Sequence, residues 1–416
     1  MTALLPHRAS RIGHACAAAL LLLAAGCATV SPPRPPTPVA PSAVTPPATT
    51  SLPASYRPVG FNTLPGWADD RVQDAWPAFR AGCTALVKPD SAMRAIFAPS
   101  CADADAVDPR DAAAIRTFFE SHFSPYQVVA ADGNTNGMVT GYYEPLLAGS
   151  RTKTARFTVP LYTAPDDLLT VDLTDVYPEL KDKRLRGRID GRKVVPYWTR
   201  AEIENGKAPV ADKALVYVED PIEAFFLEIQ GSGRVKLADG SVMRVGYADQ
   251  NGHPYRSIGR VLIDRGEITL DRASMQGIRE WGLRHPDQLP ALLDENPSYV
   301  FFREVAAPPP GSLEAAIDGP LGALGVPLLA GRTVAVDTRS IALGTPVFLA
   351  TTFPLSTRPL QRLMLAQDTG GAIRGAVRVD FFWGFGADAG REAGRMRQDG
   401  RMWLLWPKNA GPPSIR

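Results

Sequence analysis

The chain has 416 residues, with 45 basic and 43 acidic side chains and a formal net charge of +2. Arg8 and Arg11 lie in a predicted signal peptide, and without them the basic and acidic residues balance at 43 each. Nucleic-acid binding requires a basic footprint, so we expect no nucleic-acid partner. About 355 residues follow the N-terminal leader and tether, more than one compact core usually holds, which predicts about two domains.

Residues 1–26 have the pattern of a signal peptide. Arg8 and Arg11 make its start positively charged, and residues 16–25 form an apolar run too short to cross a bilayer in the usual way. The run ends in Leu-Ala-Ala-Gly before Cys27, which resembles a bacterial lipoprotein signal with a lipidated cysteine. Ala24 departs from that pattern, which usually has leucine there. The alternative is an ordinary secretory signal cleaved nearby, and both interpretations predict export.

Residues 27–60 are predicted to be a tether. Ten prolines lie between residues 31 and 60, with few large apolar side chains, so this segment is a semi-extended spacer and not a domain. A lipid anchor on such a spacer would hold the folded part off a membrane surface. Ala28 resembles an outer-membrane signal because it is not Asp. We therefore expect the chain at the periplasmic face of the outer membrane of a Gram-negative bacterium.

The cysteines that remain after the leader are Cys83 and Cys101. In an oxidising periplasm they could pair and tie a helix to the loop that follows it, whereas two unpaired buried thiols are the alternative. No short CxxC motif or Cys/His cluster occurs, and the histidines of the mature chain are far apart in sequence. We therefore expect no metal and no cofactor.

Two helices are predicted before the first strands. Residues 70–88 place apolar side chains at roughly helical spacing, and Pro77 within them predicts a kink or a break. Residues 109–123 predict the second helix, with Asp108 as its cap and Pro109 in its first turn.

From residue 138 the pattern changes to short β-segments separated by turns. The predicted strands of this block are residues 138–143, 157–160, 214–218 and 224–229. Asp239-Gly240 and Asn251-Gly252 resemble the tight turns of β-hairpins.

A helical stretch follows, with Asp271 as its predicted cap and Met275, Ile278 and Trp281 on one face. The chain then returns to strands, from residues 299–302 to a final strand at 402–406. A β-rich last third therefore follows an earlier β block. This order is consistent with one domain inserted into another.

Two polar segments of the middle are candidate binding elements. Tyr142 and Tyr143, which follow Thr140 on a predicted strand, could stack on sugar faces, or simply belong to a half-buried strand. The segment 228–233 offers an amide, a hydroxyl and glycine backbone that could bind a polar polymer. The same letters also form a simple hairpin turn, which the residues alone favour.

Three carboxylates follow or end strand-like runs in the last third. Residues 332–336 lead to Asp337, residues 363–366 lead to Asp368, and residues 376–382 contain Asp380. A small β-barrel could gather the three at one rim. Each aspartate taken alone could instead cap a turn, but three in one segment favour a site.

The other catalytic motifs that could be expected do not match, which leaves carboxylate chemistry. Ser232 lacks the context of a nucleophile elbow, the glycines at 384–390 do not match the dinucleotide fingerprint, and no phosphate-binding P-loop occurs. Cleavage of a glycosidic bond suits carboxylates, because one acid with a raised pKa must protonate the leaving oxygen. Asp380 has the most apolar sequence neighbours of the three. A hydrolase would need a second carboxylate at a defined separation, which the sequence cannot give.

These segments together resemble a known family. Similarity to the 3D, or three-aspartate, domain rests on residues 337–345, 366–373 and 380–382. With residues 141–143, 230–233 and 296–302, the chain is similar to the membrane-bound lytic murein transglycosylase A family from about residue 140 to 406. Ala342 stands where the 3D pattern commonly has proline, so we expect a locally altered turn there.

The resemblance implies a mainly β fold, namely a double-psi β-barrel with an inserted second β-barrel domain and a few flanking helices. The barrel would comprise residues 61–145 and 300–416, with the 3D segment at about 330–407. Residues 146–299 would form the insert and the other wall of a groove for a glycan strand.

The resemblance also implies a mechanism in which Asp380 acts alone as acid and base on peptidoglycan and leaves a 1,6-anhydromuramoyl end. Asp368 and Asp337 would support it. The residues expected to line the groove are Thr140, Tyr142, Tyr143, Gln230, Gly231 and Ser232. Two alternatives stay open: a hydrolytic muramidase that uses Asp380 with Asp368, and a murein-binding lipoprotein without catalytic activity. The sequence names no protein partner.

Overall fold

The structure is a computed structural model that describes residues 54–180, 183 and 185–413. The predicted signal peptide, the lipidation candidate Cys27 and most of the predicted tether lie outside these residues. Within the described part of the chain, no helix is both long and apolar enough to cross a membrane.

The β-strands of the described chain are β1 (Ser55–Pro58), β2 (Phe123–Val129), β3 (Gly137–Glu144), β4 (Leu146–Ser150), β5 (Val159–Tyr162), β6 (Leu169–Thr170), β7 (Arg186–Asp190), β8 (Lys193–Pro196), β9 (Ala214–Val218), β10 (Ser232–Leu237), β11 (Val242–Gln250), β12 (Val300–Val305), β13 (Thr333–Val336), β14 (Pro346–Thr352), β15 (Pro359–Asp368), β16 (Val379–Phe385) and β17 (Arg397–Pro407). Its α-helices are α1 (Trp76–Leu86), α2 (Arg94–Asp103), α3 (Ala112–His122), α4 (Arg200–Glu204), α5 (Pro221–Gln230), α6 (Ile258–Asp264), α7 (Met275–Arg284), α8 (Leu289–Asp294), α9 (Leu313–Ile317) and α10 (Gly386–Arg395).

Six strands close into a ring. The order is β3, β16, β13, β15, β14 and β17, and β17 pairs back with β3. The pairs β3–β16 and β13–β15 are parallel, and the other four are antiparallel. Val334, Val336, Val379 and Phe381 belong to one buried cluster inside this ring. The ring therefore has its own apolar core, and β1 and β2 extend it beyond β17.

The helices before the ring pack on its outer surface. Trp76 and Phe79 of α1 meet Phe118 and Phe119 of α3 at ring-centroid distances of 5.0 to 5.9 Å, and this cluster continues to Phe348 on β14. A buried ion pair fastens the same region, because Arg332 lies 2.9 Å from Asp70. Aromatic packing and charge pairing together fix the N-terminal helices to the ring.

The second sheet is formed between β3 and β13 in sequence, in the order β12-β11-β10-β4-β9-β5. Helix α5 covers it with Ala224 and Leu227, and its other side packs against α6, α7 and α8 through Phe225. Strands β6, β7 and β8 make a separate small sheet. The described chain is thus a mixed helix-and-sheet structure, more helical than the mainly β prediction.

Several local predictions are confirmed. The strand predicted at residues 214–218 is β9, and Asp239-Gly240 forms the turn of the β10–β11 hairpin. Asn251-Gly252 does not form a hairpin. Asn251 is buried, and its amide donates hydrogen bonds to the carbonyls of Trp198 and Pro297, so it ties three loops together.

The strand predicted at residues 224–229 is wrong, because this segment lies in helix α5. Asp220 accepts hydrogen bonds from the first backbone N–H groups, Pro221 occupies the first turn, and Gly231 ends the helix in the left-handed conformation with φ 76°. These are ordinary start and stop signals, and they outweigh the β-propensity of the apolar residues between them.

Two predicted caps also differ. Asp111 caps α3 in place of Asp108, because its carboxylate accepts from two backbone N–H groups. The N-cap of α7 is Ser274, three positions after the predicted one. The break predicted near Pro77 is confirmed: the segment is divided into a 3₁₀ helix at Val72–Ala75 and α1, and Pro77 lies in the first turn of α1, where its missing N–H breaks no helical hydrogen bond.

Candidate active site

Strand register brings two of the predicted aspartates to neighbouring positions on the ring. Ala335 on β13 pairs with Asp380 on one side and with Asp368 on the other, and Asp380 pairs in turn with Thr140 on β3. Adjacent strands lie about 4.8 Å apart, so the Cα atoms of the two aspartates are roughly 10 Å apart. The residues flanking Ala335 and Asp380 belong to the ring core, so the side chains of Ala335 and Asp380 themselves face outward.

Asp380 is half-buried on β16 and is held by one hydrogen bond. The Thr140 hydroxyl donates to Oδ1 of Asp380 at 2.6 Å. The described residues provide no hydrogen-bond donor for its other oxygen, Oδ2. Burial raises the pKa of the Asp380 carboxyl, and the Thr140 hydrogen bond and the Arg378 charge only partly oppose it. Asp380 is therefore an acid that keeps its proton to a higher pH than an exposed aspartate.

Asp368 ends β15 and has both oxygens occupied. Tyr142 donates its hydroxyl to Oδ2 at 3.0 Å, and the backbone N–H of Ala323 donates to Oδ1 at 3.0 Å. Burial raises the pKa of Asp368 to about 6 despite these donors, and the nearby charge of Asp380 adds to the rise. Burial and both carboxylates also raise the pKa of the Tyr142 hydroxyl, so Tyr142 lies close to Asp368 and Asp380 together.

Asp337 has a different environment. Its side chain accepts hydrogen bonds from Arg339 Nε at 2.9 Å and Nη2 at 2.6 Å, and from the Gly375 backbone N–H at 2.7 Å. Burial alone would raise its pKa, but Arg339 and the backbone N–H groups lower it below the ordinary value. Within the described hydrogen bonds, Asp337 contacts neither Asp368 nor Asp380. It joins the end of β13 to the glycine-rich segment 370–375.

Tyr143 and Gln230 link β3 of the ring to α5, the helix that covers the second sheet. The Tyr143 backbone N–H donates to Gln230 Oε1 at 3.0 Å, and the Tyr143 hydroxyl lies 3.5 Å from Met275 Sδ. Gly390 on α10 packs so closely on the Tyr143 ring that a Cβ would lie 2.9 Å from it. Gly231 ends α5, and Ser232 begins β10. The structure thus places these residues where the second sheet approaches β3.

Sequence reasoning missed Arg378 and Ala323. Arg378 Nη2 donates to the Thr140 hydroxyl at 2.8 Å, which links it to Asp380 through Thr140. Arg378 precedes β16 by one residue and Asp380 by two, a spacing at which the side chains of an extended chain share one face. Ala323 acts through its backbone N–H, which no side-chain pattern could have indicated.

Other predicted features lie outside this cluster. Cys83 and Cys101 are joined in a disulfide between α1 and α2, a helix where the prediction had a loop. The described residues contain no group of three or more His, Cys, Asp or Glu side chains placed to hold a metal ion. A cavity of about 660 Å³ lies between the start of α5 and the end of α7, where Arg279 pairs with Asp220 and Glu223. None of the predicted site residues lines it.

An acid with a raised pKa and one oxygen without a donor, beside a second carboxylate with a raised pKa, makes this cluster a candidate site for carboxylate acid–base chemistry. Comparison with known proteins gives the family. Residues 138–303 match the model of the MltA specific insert domain, and residues 332–406 match that of the 3D domain. The membrane-bound lytic murein transglycosylase A of Escherichia coli (strain K12) is 35% identical over 288 residues, which are 67% of this chain and 68% of that protein.

Comparison with solved structures points to the same family. MltA from Neisseria gonorrhoeae is 40% identical with a TM-score of 0.75, over 89% of this chain and 97% of that one. Escherichia coli MltA with bound chitohexaose is 28% identical with a TM-score of 0.60, over 86% of this chain and 93% of that one. The chain belongs to the membrane-bound lytic murein transglycosylase A family, as its motifs predicted.

Proposed function

We propose that this chain is a peptidoglycan lytic transglycosylase in which Asp380 is both general acid and general base. It cleaves the β-1,4 bond between N-acetylmuramic acid and N-acetylglucosamine and leaves a 1,6-anhydromuramoyl end. The observation that carries the proposal is the unequal hydrogen bonding of Asp380, whose Oδ1 accepts from Thr140 while Oδ2 has no donor among the described residues. The family supports the substrate class and the reaction type.

The first step is protonation of the glycosidic oxygen. Oδ2 of protonated Asp380 gives its proton to the leaving oxygen of the N-acetylglucosamine as the bond from that oxygen to C1 of the muramoyl sugar breaks. In the second step the Asp380 carboxylate takes the proton of the muramoyl C6 hydroxyl as O6 attacks C1. The carboxyl regains its proton, and no water is consumed. An attacking group within the substrate is already held near C1, so no protein nucleophile is required.

Asp368 fits this role less well, although its pKa is also raised. Tyr142 and Ala323 occupy its two oxygens, so a substrate oxygen would have to displace a donor that is already in place. We assign Asp368 a supporting role: when it is charged, its repulsion favours the protonated form of Asp380. Asp337 supports the site from further away, by holding segment 370–375.

The glycan strand is proposed to bind between the ring and the insert. Tyr142 lies beside the two carboxylates, and Tyr143 and Gln230 connect β3 to α5 next to them. The groove residues are proposed to be Thr140, Tyr142, Tyr143, Gln230, Gly231 and Ser232. A related protein, Escherichia coli MltA, has a structure with bound chitohexaose. This supports a saccharide polymer as the ligand.

The finer architecture is part of the same proposal. A closed ring of six strands with two parallel pairs supports a double-psi β-barrel formed by residues 61–145 and 300–416. Residues 146–299 would be the insert. The relatives are membrane-bound, and we propose that lipidation of Cys27 anchors this chain at the periplasmic face of the outer membrane.

Mass spectrometry of the muropeptides released from purified sacculi tests the reaction, with the Asp380→Ala variant beside the wild type. Wild-type protein should release products with anhydro ends, and the variant should release none. Products heavier by one water would instead make the protein a hydrolytic muramidase that uses Asp380 with Asp368. Binding without release by either form would leave a murein-binding protein.

A further inference from the structure

Arg378 carries the further inference, which rests on the proposed role of Asp380. Arg378 lies two residues before Asp380, immediately before β16 begins at Val379, and no carboxylate lies within ion-pair distance of it among the described residues. Its Nη2 donates to the Thr140 hydroxyl at 2.8 Å, and its Nη1 donates to the Val379 carbonyl at 2.5 Å. The guanidinium is therefore fixed between β16 and β3 and points one of its N–H groups at Thr140.

The hydroxyl of Thr140 has one proton and two lone pairs. Because Arg378 donates to its oxygen, the hydroxyl proton turns away from the guanidinium and toward Oδ1 of Asp380, 2.6 Å from the Thr140 oxygen. Oδ1 is then a hydrogen-bond acceptor in either charge state of Asp380. A proton on the carboxyl group must lie on Oδ2, the oxygen without a donor.

We propose that Arg378 is a positioning residue, which directs the Thr140 hydroxyl onto Oδ1 and thereby places the transferable proton of Asp380 on Oδ2, facing the glycan. The relay also keeps the positive charge one hydroxyl away from the carboxylate. A direct pair with arginine would hold the carboxylate ionised and remove the acid, as the neighbouring pair of Asp337 and Arg339 illustrates.

Charged and titratable groups surround Asp380 on several elements. Arg378 lies immediately before its strand, Tyr142 lies on β3 and Asp368 on β15, and each of these interacts electrostatically with Asp380. On β17, Arg397 pairs in register with Thr140 and is exposed. The charged residues of the adjacent helix α10 are Asp388, Arg391, Glu392 and Arg395. Of these groups, Arg378 is the one that reaches Asp380 through a hydrogen-bonded relay.

The test compares kcat against pH for Arg378→Gln, Arg378→Lys, Thr140→Val and Thr140→Ser. Asp380 must be protonated to start the reaction, so kcat falls as pH rises through its pKa. Loss of the charge in Arg378→Gln should move this fall to higher pH by about half to one pH unit and lower the maximum about tenfold. Arg378→Lys should keep the wild-type pH dependence but lose rate. Thr140→Ser should resemble the wild type.

Thr140→Val should move the fall in the same direction as Arg378→Gln, and combining the two should add little, because both break one relay. A matched control is Arg339→Gln, which removes the arginine that pairs with Asp337. It should not change the pH at which kcat falls. An Arg378→Gln profile that coincides with the wild-type profile would overturn the proposal, as would full additivity in the double variant.

A second measurement does not depend on activity. The carboxyl ¹³C signal of Asp380, assigned by its absence in Asp380→Asn, should titrate at higher pH in Arg378→Gln and in Thr140→Val than in the wild type. Unchanged titration would overturn the relay. If Asp380→Asn kept its activity, the proposed function would fail, while this titration would still decide whether Arg378 and Thr140 act on the carboxyl. Should Arg378→Gln not fold, Thr140→Val supplies the same decision, because it breaks the same relay.

Discussion

Asp337 and Asp380 differ in how each is paired with a nearby arginine. Both lie on neighbouring strands or at their ends, and both have an arginine two residues away in sequence. Arg339 donates directly to Asp337 through two nitrogens, and the pKa of Asp337 is lowered. Arg378 reaches Asp380 only through the Thr140 hydroxyl, and the pKa of Asp380 is raised. Burial favours the protonated form of both carboxyls. The direct donation from Arg339 and the backbone N–H groups reverses this at Asp337, whereas the Arg378 charge, one hydroxyl away, does not reverse it at Asp380.

The largest expected effect is on kcat, which should fall far more when Asp380 is changed than when Asp337 is changed. Asp380→Asn keeps the shape of the side chain but cannot exchange a proton, so we expect kcat to fall about 10³-fold or more. Asp337→Asn should lower kcat no more than about tenfold per folded molecule, because Asp337 acts only through segment 370–375. The rate of muropeptide release at equal folded concentration measures both. Equal losses in the two variants would contradict the distinction between them.

The free energy of unfolding should fall more in Asp337→Asn than in Asp380→Asn, the opposite order to the loss of activity. Asp337→Asn removes a buried charge that accepts from Arg339 and Gly375, and we expect the free energy of unfolding to fall by about 2 kcal/mol. Asp380→Asn relieves a carboxyl whose charged form is disfavoured by burial, so stability should stay the same or rise. Urea unfolding at pH 7, followed by tryptophan fluorescence, compares the two. A larger loss of unfolding free energy for Asp380→Asn than for Asp337→Asn would contradict this difference between the two residues.

The contributions of Asp368 and Asp337 to stability should depend on pH with opposite signs. The pKa of Asp368 is about 6 in the folded protein and near 4 when unfolded, so its stabilising effect is complete below pH 4 and is lost as the pH rises to about 6. Relative to Asp368→Asn, the wild type should lose at most about 3 kcal/mol over that range. Asp337 has a lowered pKa, so its contribution is present above about pH 4 and is lost on acidification. Urea midpoints from pH 3 to 7 measure both slopes.

Tyr142→Phe should give the smallest effect. It removes the hydroxyl that donates to Asp368 at 3.0 Å, so the pKa of Asp368 should rise further, because its charged form loses a donor. We expect kcat to fall only a few-fold, since Tyr142 touches the supporting carboxylate and not Oδ2 of Asp380. A loss as large as that of Asp380→Asn would make Tyr142 part of the proton transfer itself.

The sequence predicted β9 with its observed bounds and the Asp239-Gly240 turn of the β10–β11 hairpin, because both have strong local residue preferences. It failed at α5, where apolar residues of high β-propensity lie between an Asp-Pro start and a glycine stop. The three aspartates were picked out from the sequence and the family resemblance suggested their roles, but their different contacts were not predicted. Those contacts depend on the register of β13 against β15 and β16, and on a threonine 240 positions away in the chain. Contacts of that sequence separation leave no local pattern.

The most direct test of the account is a carboxyl ¹³C titration of the three aspartates in the wild-type chain, each assigned by its own Asp→Asn variant. We predict that Asp337 titrates below the ordinary value of about 4 and that Asp368 and Asp380 titrate above it. An Asp380 carboxyl that titrates at or below Asp337 would contradict the central claim, because such a group would be ionised too early to serve as the acid.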